Sequence, residues 1–157
     1  MVSQKPRKEV YAEKLGHRIV HLFVFNKKGE MLLQLRSAKV SFCPLHWCTA
    51  AAGHVKAGES GEEAAVRECE EELGFIPKPY FLFKDLDYYD VNGHHKILYS
   101  YKSVKEDGFK PSLEEVEKVR FFSLKEVQAL VSSGAKIHPE LAFILRKHFG
   151  INVNQRP

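Results

Sequence analysis

Apolar and polar positions divide this chain into short segments of distinct period. His17 to Phe25 (HRIVHLFVF) is a nearly unbroken β-branched and aromatic run, the pattern of a buried strand. Asn26-Lys27-Lys28-Gly29 supplies a turn, and Glu30 to Arg36 (EMLLQLR) returns as the second strand of a hairpin. Ser37 to His46 is a loop containing Pro44, and Trp47 to Ala52 is a short strand of small residues. A polar segment runs from Gly53 to Phe75 and is closed off by Pro77 and Pro79. Aromatic and polar residues then alternate over Tyr80 to Asp90 and His94 to Val104. Asn92-Gly93 between them is the strongest short hairpin signal in the chain, because both residues tolerate positive φ. Lys105 to Glu117 is a polar connection with Gly108 and Pro111, and Lys118 to Phe122 is another strand. Ser123 opens a helix (SLKEVQALVSS) with Glu126 placed to complete a capping box, and Gly134 ends that helical region. His138 to Phe149 is a last helix, stopped by Gly150. Residues 1–15 read as a loosely packed polar lead-in. This order predicts one α+β domain over residues 1–157, a mixed sheet with helices on its faces.

Composition narrows the class. With 157 residues, 44% hydrophobic and 28% charged, the chain is an ordinary globular sequence able to bury a substantial core. No apolar run approaches a membrane span, and the charged start MVSQKPRKEVYAEK lacks the apolar stretch of a secretory signal. Three cysteines (Cys43, Cys48, Cys69) argue against a disulfide framework and fit a reducing cytoplasm. The net charge of +4 is unevenly spread: residues 59–72 hold seven Glu against Arg67, a local −6 inside a frame of +10. Such a distribution suits either a solvated acidic helix or a site gathering cations and anionic ligands. The aromatic runs at 80–101 follow sheet patterning, so no nucleic-acid platform is expected.

The acidic segment has internal order. Ser60 with Glu63 three residues on is a capping box, placing a helix start at about Gly61, and Gly74 supplies its left-handed end. With Glu68 at the origin of a helical wheel, Glu71 falls about 60° to one side and Glu72 about 40° to the other. Ala65, Cys69, Leu73 and Val66 fall between roughly 60° and 160°, the stripe expected to dock on the sheet. Glu62, Glu63 and Glu70 are left as ordinary solvated surface. Glu68, Glu71 and Glu72 crowd beside the stripe at spacings where like charges destabilise a helix. A hard, oxygen-seeking cation such as Mg²⁺ or Mn²⁺ best explains that convergence.

Gly53, five residues, Glu59, seven residues and then Arg67-Glu68-Cys69-Glu70-Glu71-Glu72-Leu73-Gly74-Phe75 resembles a complete Nudix box. All of its fixed positions are filled, with Cys69 a mildly unusual apolar residue. The resemblance implies an α/β/α sandwich around a mixed sheet and a hydrolase of small-molecule diphosphates, with a homodimer as a family expectation. It implies that Glu68, Glu71 and Glu72, with the backbone carbonyl of Gly53, hold the divalent cations. It also implies that Glu59 and Arg67 pair to hold loop and helix in place. A general base must take the proton of the attacking water, with Glu71 the first choice and Glu114, Glu115 and Glu117 later ones.

The N-terminal half is also similar to isopentenyl-diphosphate isomerases, which share the fold. Those enzymes use a Cys directly before Gly-His, where this chain has Ala52 before Gly53-His54, and a Glu-Asn-Glu where it reads His94-His95-Lys96. Alanine can neither attack nor donate a proton, so the better reading is an isomerase-like hydrolase. A Nudix-fold module that senses a ligand without turnover is the alternative from a different class; an intact carboxylate set argues for the enzyme. His17 and His54 match isomerase metal ligands but read first as scaffold histidines. Cys43, His46, Cys48 and His54 lack the paired knuckles of a zinc site. Arg36, at a strand end leading towards the box, is the candidate substrate contact, ahead of Arg18, Lys39 and Lys56. Trp47 and Phe42 are expected in the core first, and lining a substrate pocket second.

Overall fold

The computed structural model describes residues 17–153, so the lead-in at 1–15 lies outside the described residues. The β-branched run forms β1 (His17–Phe25), whose residues alternate between two cores because successive side chains point to opposite faces. Val20, Leu22 and Val24 enter one core with Leu32, Ala64, Ala65, Cys69 and Leu73. Ile19 and Phe23 enter the other with Leu98, Val127, Leu141, Ile144 and Leu145. The described sheet has seven strands: β1, β2 (Met31–Arg36), β3 (Trp47–Thr49), β4 (Ala51–His54), β5 (Tyr80–Tyr89), β6 (His95–Val104) and β7 (Val116–Phe122). Only β1 and β6 pair in parallel, in register from His17 opposite Lys96 to Phe25 opposite Val104. The remaining pairings are antiparallel, which gives the mixed sheet expected.

Helix α1 (Gly61–Leu73) covers one face, and α2 (Leu124–Ser132) and α3 (Pro139–His148) the other, which is the α/β/α sandwich. Both predicted capping boxes form: the Ser60 and Ser123 hydroxyls accept from the backbone N–H of Glu63 and Glu126, and those carboxylates reach back. Gly74 ends α1 at φ 74°, the left-handed conformation that favours glycine. One expected strand divides. Trp47 to Ala52 splits at Ala50, with β3 pairing to β2 and β4 to β1. The β1–β2 hairpin makes a single residue pairing, Phe25 with Met31, before the strands part. Their divergence leaves room between them at the end opposite the turn, where β4 and α1 meet.

A buried polar network ties α3 to that opening. His21 sits among the apolar residues of β1, fully buried, 2.8 Å from the Thr49 hydroxyl and donating from Nε2 to Glu140 Oε1 at 2.9 Å. Lys96 on β6 donates to the other Glu140 oxygen at 3.0 Å and lies 3.7 Å from Asp90. Burial opposes ionisation of Glu140, yet the hydrogen bond and charge of His21, with His138 and Lys96, hold its carboxyl far below the usual range. Removing one partner of such a buried pair leaves an uncompensated charge. Lys96→Met is therefore expected to destabilise the protein by about 3–5 kcal/mol, read as a lower urea midpoint at unchanged m.

Candidate active site

Helix α1 docks with Gly61, Ala64, Ala65, Cys69, Glu72 and Leu73 buried. That face is turned from the expected apolar stripe: Val66 is only half-buried, Ala64 is buried, and Glu72 lies near the middle of the buried arc. The stripe was drawn through apolar residues alone, and here a carboxylate occupies the centre of the docking face. Its oxygens are not left bare. The Ala52 backbone N–H donates to Glu72 Oε2 at 3.2 Å, and Gln34 Nε2 donates to Oε1 at 3.4 Å while also holding the Ala50 carbonyl at 2.9 Å. Burial, and then the charges of Glu68 and Glu115, push the Glu72 carboxyl well above its ordinary value of 4.5. Burial also raises that of Glu68, opposed by its hydrogen bond and charge partner Arg67.

Arg67 organises the loop ahead of the helix. Its Nε and Nη2 donate to the two oxygens of Glu59 at 2.8 and 3.0 Å, a bidentate pair. Nη2 also meets the His54 carbonyl at 2.9 Å, and Nη1 the Glu68 carboxylate at 2.7 Å. The guanidinium holds the Glu59 carboxyl below its ordinary value. Glu71 is 3.5 Å from the same guanidinium, but its side chain is 51% exposed on the outer side of the helix. Glu62, Glu63 and Glu70 are exposed, as the wheel predicts. Gly53 is confined by the same arrangement: a Cβ there would overlap the Glu68 carboxylate.

These groups form one wall of a cavity of about 590 Å³, with Gly53, His54, Glu68, Glu72 and Glu115 on it. Glu115 arrives from the connection before β7, which is anchored on the end of α1. Lys110 and Ser112 donate backbone N–H groups to the carbonyls of Leu73 and Glu72, satisfying C-terminal groups the helix leaves unpaired. All three later acids are exposed, but Glu115 lines the cavity, whereas Glu114 pairs with Lys39 and Glu117 lies off the cavity lining. Across the cavity stand Arg36, Phe42, His138 and residues of the Glu140–Lys96 network. Arg36 fastens the intervening loop, donating from Nε and Nη2 to the Phe42 carbonyl at 3.1 and 2.9 Å. Trp47 packs edge-on against Phe122, but Phe42 is half exposed at the cavity instead of in the core.

The donor set on the box wall is all oxygen. Among the described residues no three His, Cys, Asp or Glu side chains close into a metal shell. Two carboxylates whose pKa burial raises, beside a tight Gly53 backbone, nevertheless suit Mg²⁺ or Mn²⁺, since such ions take one or two carboxylates and complete their coordination with substrate oxygens. Cys43, Cys48 and Cys69 are free thiols, and burial pushes those of Cys48 and Cys69 up to about 12, unlike zinc ligands. His17 and His54 stack ring on ring with centroids 5.1 Å apart. Ala52, His94 and Lys96, which stand where isomerases carry Cys and Glu-Asn-Glu, all line this same cavity. Sequence reasoning missed the far wall, His138, Glu140 and Asp90, because these side chains carry no spacing signal and meet only through the fold.

The comparisons agree with this architecture. Residues 15–141 match the NUDIX domain. A Nudix hydrolase of Listeria monocytogenes is 33% identical over 118 residues, covering 75% of this chain and 70% of the relative. An isopentenyl-diphosphate Delta-isomerase of Photorhabdus laumondii is 28% identical over 141 residues, covering 87% and 79%. Among solved structures, a Deinococcus radiodurans protein superposes with TM-score 0.75 at 21% identity over 83% of this chain and 82% of its own. The NUDIX domain of Shewanella oneidensis NrtR, complexed with ADP ribose, superposes with TM-score 0.63 at 17% identity over 92% and 99%. None of the described helices is long and apolar enough to cross a membrane. A filled box folded as capped helix and glycine-tight loop, a domain match over most of its length and a hydrolase relative at this identity together place the chain in the Nudix hydrolase family.

Proposed function

We propose that this protein hydrolyses a diphosphate linkage in a nucleoside diphosphate derivative or a related organic diphosphate, with Mg²⁺ or Mn²⁺ bound at the box. The observation that carries the reading is the buried Glu72 carboxyl beside Glu68 on the cavity wall, a costly pair unless a cation neutralises it. The cation supplies charge neutralisation of the diphosphate and activation of the attacking water. Glu68, Glu72 and the Gly53 carbonyl would hold it, whereas Glu71, the remaining box carboxylate, lies on the outer side of the helix 3.5 Å from Arg67. Arg67, fixed by Glu59, sets the position of Glu68. Glu115 takes the water's proton, a role the cavity wall favours for it over Glu71, whose side chain faces outward. Arg36 adds a positive charge on the substrate side of the cavity. With Ala52 where a thiol would stand, the chain has no proton donor for isomerisation at that position.

The test is a panel of organic diphosphates, ADP-ribose and isopentenyl diphosphate included, incubated with Mg²⁺ and read by phosphate release after phosphatase treatment. Glu72→Gln and Glu68→Gln are expected to lower kcat/KM by about 100-fold or more. Full activity in both variants would sink the metal assignment, and ligand binding without turnover would favour a sensing module. Formation of dimethylallyl diphosphate would favour an isomerase.

The same carboxyl links stability to pH. A folded-state pKa raised above 4.5 stabilises the fold fully below that value, and this contribution is lost as pH rises through the folded pKa. In EDTA, the Tm of the wild type should therefore fall relative to Glu72→Gln as pH rises above 4.5. Added Mg²⁺ should raise the Tm of the wild type more than that of the variant. Parallel pH curves in EDTA would remove Glu72 as the source.

A further inference from the structure

The far wall of the cavity holds a neutral donor whose tautomer is set by the fold. His138 is the N-cap of α3, and its Nδ1 accepts the backbone N–H of Glu140 at 3.1 Å, so the ring proton resides on Nε2. The residue is 6% exposed and lines the cavity, and Nε2 has no hydrogen-bond partner among the described residues. Burial lowers its pKa to about 4, so the ring stays neutral. The charged groups beside it are engaged with one another: Glu140 with His21 and Lys96, Asp90 with His94 and Lys96. Phe42 meets the His138 ring edge-to-face at 5.5 Å and is itself 50% exposed, leaving apolar ring surface at the cavity. Arg36 holds the Phe42 backbone in place. A fixed neutral donor next to a free aromatic surface matches a planar ring bearing a hydrogen-bond acceptor, and offers little to a flexible alkyl chain.

We propose that His138 and Phe42 are the specificity determinants for the substrate end remote from the box, where His138 Nε2–H donates to a carbonyl or ring nitrogen of an aromatic base that packs on Phe42. The assignment rests on the reading of the box as the diphosphate site.

Two substitutions separate recognition from scaffolding. His138→Asn keeps an acceptor at the capping position and removes the Nε2–H, whereas His138→Gln keeps a donor near Nε2 and loses the cap. Equilibrium binding of ADP, GDP, CDP and UDP is compared with that of inorganic diphosphate and isopentenyl diphosphate, which lack a base. His138→Asn should weaken binding of the preferred nucleotide by about tenfold at near-wild-type Tm, with diphosphate binding unchanged. His138→Gln should lower Tm yet bind that nucleotide within about threefold of wild type. Phe42→Ala should weaken nucleotides and spare the controls. The proposal is overturned if His138→Asn binds nucleotides like the wild type, if affinity follows Tm across both variants, or if no nucleotide binds more tightly than inorganic diphosphate. Glu72-dependent hydrolysis of a diphosphate without a base, alongside that last result, would leave the proposed reaction standing and remove this inference alone.

Discussion

The structure depends on one buried carboxylate. Glu72 lies where α1 presses against the sheet, a position that pattern alone would give to an apolar side chain. Burying it is unfavourable, and the fold meets that demand with two donors, the Ala52 N–H at the start of β4 and the Gln34 amide on β2. Those contacts tie the helix to two strands. Glu68 lies a helical turn away against Gly53, paired with Arg67 at 2.7 Å, and its charge adds to the rise of the Glu72 pKa. Stability is given up locally at this carboxylate pair, an arrangement common to functional sites.

The cavity beside Glu72 follows from how the sheet is joined. Strands β1 and β2 separate after one pairing, and β3 and β4 take up the edges they vacate. The box closes one side of the opening and α3 the other. On the α3 side the charges are balanced: His21, Lys96 and Glu140 hold one another at 2.9–3.0 Å. One wall is thus rich in carboxylates and the other is satisfied, which polarises the space between them. The likeness to isomerases ends in this cavity. Ala52 supplies no thiol, and Lys96 donates to Glu140.

Much of the fold was legible in the sequence because its signals are local. The nearly unbroken β-branched and aromatic run of β1, the two capping boxes at Ser60 and Ser123, the glycine after Leu73 and the Asn92-Gly93 turn act through contacts within about four residues. The spacing of the box is equally local, so its candidate carboxylates could be named from the chain alone. Tertiary structure decided which face of α1 docks, since helical period places Glu72 near the buried arc but cannot show that Ala52 and Gln34 will satisfy it. It also distinguished Glu115, on the cavity, from Glu114 and Glu117, with loop N–H groups donating to the carbonyls at the end of α1. The far wall joins residues as distant in sequence as His21 and Glu140, 119 positions apart. Such side chains carry no periodicity, and their partners exist only once β1, β6 and α3 have packed together.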